Sequence, residues 1–124
     1  MKKKVLVVDD EPAVRQLLRK ILSKNYAVLE AQNGEEAVNM AQSQKPDIIL
    51  MDMMMPKMDG LTACLAIKTN QITRGIPVVM LTAIDYELNK KLSKDVMGAD
   101  GYITKPFNTQ ALLKTISQLL PKHE

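Results

Sequence analysis

The chain carries one cysteine, one histidine, no tryptophan and only 3% aromatic residues. With Cys64 alone, no internal disulfide can form. Cys64 lies beside Leu61 and Leu65 in a helical pattern and reads as a small buried hydrophobe rather than a reactive thiol. The scarcity of aromatic rings leaves little for nucleic-acid binding by base stacking. The formal charge of +3 is mild, and Lys2, Lys3 and Lys4 read as a solvated start to the first strand rather than a phosphate-binding arm. Direct nucleic-acid binding is therefore not inferred. Long apolar runs are missing too. The stretch Val5-Leu6-Val7-Val8 is far too short for a signal peptide or a membrane span, so a cytoplasmic chain is expected. His123, in the last four residues, reads as part of a solvated tail.

What is present is a repeat of short apolar runs and amphipathic stretches. Hydrophobic content of 46% with 25% charged residues is ordinary for a globular protein, and the length suits one domain over residues 1–124. Val5 to Val8 ends abruptly in Asp9-Asp10-Glu11-Pro12, and Pro12 suits the first turn of a helix. Val14, Leu17, Leu18, Ile21 and Leu22 then share one helical face, with Arg15, Gln16, Arg19 and Lys20 assigned to solvent. A second, more polar strand is expected over Ala27–Ala31, near an edge of the sheet. Asn33 and Glu36 have the spacing of an N-cap and its capping-box partner, and Lys45-Pro46 ends that helix.

The central stretch is Ile48-Ile49-Leu50-Met51-Asp52, a strand apolar on both faces that runs into a carboxylate. Asp59 is expected to cap the following helix. Pro77 opens a strand through Leu81 that ends at Thr82. Leu88, Leu92 and Val96 mark a further helix with Gly98 as its C-cap. Gly101-Tyr102-Ile103 is a short fifth strand, and Asn108 caps a last helix through Leu120. Alternation of this kind predicts an α/β fold: a doubly wound, five-stranded parallel sheet of (βα)5 type, covered on both faces.

In such a sheet the loops after the strands open at one end, where ligand sites lie. Asp9, Asp10, Asp52, Thr82 and Lys105 all fall there. Singly, each has an ordinary role as a helix cap, a strand-end hydroxyl or a solvated lysine. Together, three acids repel one another and invite a hard divalent cation, Mg²⁺ being the natural one. A carboxylate can attack phosphorus to give an acyl phosphate, and Asp52 is placed for it. Lys105 and Thr82 can then meet phosphoryl oxygens. The methionine-rich loop after Asp52 is read as packing and cover, because the neighbouring acids favour hard ions over copper.

The segments Val7-Val8-Asp9-Asp10-Glu11, Leu50 to Gly60, Leu81-Thr82-Ala83 and Tyr102 to Phe107 resemble the receiver domain of two-component response regulators, in the same order and over essentially the whole chain. The resemblance implies the flavodoxin-like strand order 2-1-3-4-5. It implies that Asp52 accepts a phosphoryl group from a sensor histidine kinase or a phosphotransfer protein. Mg²⁺ would be held by Asp9 through water, by Asp10 and Asp52, and by the backbone carbonyl of Met54. Thr82 and Tyr102 would act as switch residues, Lys105 would pair with the phosphoryl oxygens, and the Lys105–Pro106 bond would be cis. A face including Leu88, Lys91, Lys94 and Tyr102 would meet a downstream target protein or output domain. Met54 and Ile84 occupy positions that tune hydrolysis in this family, and both are bulky and apolar. The expectation is a switch rather than an enzyme, acting as a monomer or a phosphorylation-dependent dimer, either alone or as part of a longer protein. A docking module independent of phosphorylation is the alternative. A hydrolase with an aspartyl-phosphate intermediate fits less well, since Met54 stands where a second acid is expected.

Overall fold

A computed structural model describes residues 2–82 and 98–120. Strands β1 (Lys3–Val8), β2 (Tyr26–Ala31), β3 (Ile48–Asp52), β4 (Val78–Thr82) and β5 (Gly101–Thr104) pair in parallel in the order β2-β1-β3-β4-β5. The helices among the described residues are α1 (Pro12–Leu22), α2 (Gly34–Gln44), α3 (Gly60–Thr69) and α4 (Thr109–Leu119). The helix expected over Leu88, Leu92 and Val96 lies outside the described residues, as do Ile84, Lys91 and Lys94.

The continuous apolar runs are explained by burial on both faces. Side chains alternate across a strand, so Val5 and Val7 of β1 join Ile48 and Leu50 of β3 against Leu18 and Leu22 of α1 and Leu112 and Ile116 of α4. Leu6, Val8, Ile49 and Met51 point the other way, against Ala37 and Ala41 of α2 and Ala63, Cys64 and Ile67 of α3. Strands β3 and β4 are buried throughout, whereas β2 and β5 at the edges are mostly half-buried. The more polar second strand is thus an edge strand.

Local signals set the helix ends. Pro12 opens α1, and the Asn33, Asp59 and Asn108 side chains accept from the backbone N–H groups of Glu36, Thr62 and Ala111. Such caps satisfy donors that the first helical turn leaves open. The capping box at α2 is shifted: Glu36 Oε1 accepts from the Gln32 N–H at 2.9 Å, one residue before the cap. Lys45 ends α2 at φ 47°, and Gly98 has φ 82°, in the left-handed region that favours glycine; the helix it was expected to cap lies outside the described residues. Helix α1 departs from its sequence pattern. Leu18 and Leu22 are buried, but Leu17 is 48% exposed and Arg15 is turned inward.

Candidate functional site

The carboxyl ends of β1 and β3 adjoin because Val8 pairs with Met51. Asp9 and Asp52 each follow those residues, so the sheet register brings them together. Asp9 is fully buried, Asp52 is nearly so, and Asp10 is exposed. Carboxylate oxygens of Asp9, Asp10 and Asp52 lie within 4.8 Å of one another. Asp9 is held from several sides. Its N–H donates to Ala31 O at 3.2 Å, and its Oδ1 accepts from the Glu11 N–H at 2.9 Å.

Lys105 enters from the end of β5. Thr82, the last residue of β4, pairs with Thr104, and its carbonyl accepts the Lys105 N–H. The Lys105–Pro106 peptide bond is cis. The ammonium lies 3.1 Å from Asp9 Oδ2 and 3.2 Å from Asp52 Oδ1, bridging two acids. Burial, followed by the negative charge of Asp9, pushes the Asp52 carboxyl above its usual range, against the opposing pull of Lys105 and a hydrogen bond from the Met54 backbone. For Lys105 burial disfavours the charge, but the attraction of Asp52 and Asp9 outweighs it and the ammonium is held above its ordinary value. Three carboxyl groups thus cluster around a single ammonium.

The loop after Asp52 is shaped by a close approach. A Cβ on Gly60 would run into the Asp52 carbonyl oxygen, so only glycine lets the start of α3 sit against the backbone of that residue. The Gly60 N–H donates to Met53 O at 3.0 Å, which closes the loop. Met53 is buried and Met54 is 78% exposed. Thr82 is buried at the tip of β4, one residue beyond Leu81, the pairing partner of Asp52. Tyr102 is half-buried, packs on the core of the α2–α3 face and pairs with Met80. Beside Lys105, an apolar cleft of about 220 Å³ is lined by Val14, Leu17, Pro106 and Phe107.

The residues singled out in the sequence therefore meet: Asp9, Asp10, Asp52 and Lys105 by direct proximity, and Thr82 by its neighbouring strand. Asp9 turns into the turn that precedes α1 and does not cap it, since Glu11 is the N-cap residue. Sequence reading missed Arg15. Its Nη1 donates to the Asp9 carbonyl oxygen at 2.7 Å and its Nε to Glu30 Oε1 at 3.0 Å. The one sequence signal is Glu30, an acid inside an otherwise apolar strand.

A family model of the response regulator receiver domain matches residues 5–117. This chain is a response regulator receiver domain. It is 43% identical to the chemotaxis protein CheY of Halobacterium salinarum over 122 residues, covering 97% of this chain and 98% of that protein. It is 40% identical over 125 residues to PhoP of Bacillus subtilis, the alkaline phosphatase synthesis transcriptional regulatory protein. There it covers all of this chain but about half (51%) of the relative. Among solved structures, a putative response regulator from Chloroflexus aurantiacus matches with a TM-score of 0.91 at 31% identity, over 98% of this chain and all of that one. The Vibrio cholerae chemotaxis protein CheY4 matches at 0.89 and 36%, over 97% and 100%. The receiver fold and strand order expected from the sequence are those observed. The acidic cluster is consistent with the Mg²⁺ site of the family. No helix among the described residues is long and apolar enough to cross a membrane.

Proposed function

We propose that this receiver domain is a phosphorylation switch in which Asp52 accepts a phosphoryl group from the phosphohistidine of a sensor kinase or phosphotransfer protein. The supporting observation is the Lys105 ammonium set between Asp9 and Asp52 at the open end of the sheet, with Asp10 alongside. An Asp52 carboxylate oxygen attacks phosphorus, the P–N bond of the donor breaks, and an acyl phosphate forms on Asp52. Asp9, Asp10 and Asp52 supply oxygen donors only, which suits a hard dication. Met54 would add its backbone carbonyl. Mg²⁺ bound there would neutralise charge on the transferring group.

Lys105 keeps its charge and can turn from the carboxylates to a phosphoryl oxygen. Thr82 offers a hydroxyl from the adjacent strand tip, and Tyr102 lies two residues back along β5 from Thr104. Phosphorylation adds up to about two negative charges and strong acceptors. Drawing Thr82 and Lys105 toward them alters the exposed face made by the segment carrying Leu88, Lys91 and Lys94 together with β5 and α4, which is the surface for a downstream target. The domain acts as a switch, its own chemistry limited to phosphotransfer and loss of the phosphoryl group.

Intact mass after incubation with acetyl phosphate and Mg²⁺ tests this. One added phosphoryl mass is expected in the wild-type chain, absent from Asp52→Ala and lost on chelation. A folded wild-type chain that gains no mass would favour the phosphorylation-independent docking module.

A further inference from the structure

Asp10 is the most exposed of the three acids, and its side chain has no hydrogen bond or ion pair among the described residues. Its aim therefore depends on the peptide that precedes it. That peptide is held by Arg15, one helical turn into α1. The guanidinium donates Nη1 to the Asp9 carbonyl oxygen at 2.7 Å, and the side chain is only 13% exposed. Its Nε is anchored 3.0 Å from Glu30 Oε1 on β2. Glu30 pairs with Val7 on β1, and Arg19 holds its other oxygen at 2.6 Å. The Glu30 carboxyl is kept below its usual range by the Arg19 hydrogen bond first and by Arg15 as well. A fork with one arm on a fixed carboxylate and one on a backbone carbonyl fixes the plane of the Asp9–Asp10 peptide.

We infer that Arg15 is a positioning residue for the acidic pocket: through the Asp9 carbonyl it sets the direction of the Asp10 carboxylate toward a divalent cation, and Glu30 holds Arg15 in place. The inference rests on the reading of this cluster as a Mg²⁺ site. Outer partners of this kind are worth about 10–100-fold in metal affinity.

Arg15 is a cation close to a cation site, so deleting its charge without any loss of positioning would tighten Mg²⁺ binding. Positioning predicts the opposite sign. Isothermal titration of the intact chain with MgCl₂, without any phosphodonor, should give an affinity weaker by about tenfold in Arg15→Gln. Arg15→Lys keeps the charge and a single donor head, so it should fall between that variant and wild type. It also serves as the deciding variant if Arg15→Gln does not fold. Arg19→Gln breaks an ion pair to the same Glu30 without touching Asp9 and should bind Mg²⁺ like wild type. Wild-type or tighter binding in both Arg15 variants would overturn the inference, and so would an equal loss in Arg19→Gln. A wild-type chain that binds no Mg²⁺ would instead overturn the metal reading on which it rests.

Discussion

The Lys105 ammonium lies 3.2 Å from Asp52 Oδ1, although 53 positions separate the two residues in the chain. It is also 3.1 Å from Asp9 Oδ2, so a single cation stands between two buried or nearly buried carboxylates. That arrangement leaves the pocket short of positive charge and ready for more.

Lys105→Met should therefore destabilise the domain, by about 2 kcal/mol, since it leaves Asp9 and Asp52 facing each other without a counter-charge. Millimolar Mg²⁺ should restore part of the loss, because a ligand bound only by the folded state stabilises it. Urea unfolding with Mg²⁺ and with a chelator measures both effects. A variant as stable as wild type under chelation would show that the bridge contributes nothing.

The raised Asp52 carboxyl makes a pH prediction. Its folded-state value lies above the ordinary 3.8, so just above that value the folded chain binds a proton that the unfolded chain has released. Stability due to Asp52 accordingly falls as pH rises through this window and levels off above the folded-state value. Asp52→Asn removes the penalty. Its stability advantage over wild type should be smallest at the acid end and grow toward neutral pH in the absence of Mg²⁺. A difference that stays constant with pH would contradict the assignment.

Gly60→Ala should cost about 1–3 kcal/mol, because the new methyl group meets the Asp52 carbonyl oxygen and the backbone of Met53. Gly75→Ala is the matched control. Nothing lies within 4 Å of a Cβ there, so it should be neutral or stabilising by up to about 1 kcal/mol. Urea midpoints of the two variants give the comparison.

Cys64 should resist alkylation in the native protein. Burial in the α3 packing pushes its thiol up to about 12, so thiolate is scarce at neutral pH. Iodoacetamide followed by mass measurement should label it readily in urea and hardly at all without. Fast labelling of the native chain would mean that α3 opens.

The sequence by itself determined the elements seen among the described residues and their order. Four-residue apolar runs such as Val5–Val8, helix signals such as Pro12 and the capping side chains of Asn33, Asp59 and Asn108 act over a few residues, so they are legible one stretch at a time. Even the convergence of Asp9, Asp10, Asp52, Thr82 and Lys105 follows from strand ends in a parallel sheet, a property of the fold class rather than of any contact. The tertiary structure alone decided how deeply each of these groups is buried and what it touches. Local pattern says nothing of the burial of two adjacent aspartates, yet Asp9 is sealed beneath Lys105 and Asp10 faces solvent. Helical periodicity assigned Arg15 to water and Leu17 to the core, but Arg15 turns in to Asp9 and Glu30 while Leu17 stays half exposed beside Pro106 and Phe107. A long guanidinium goes where acceptors from two other segments coincide. That coincidence is set by the docking of α1 across β1 and β2, which no local pattern encodes.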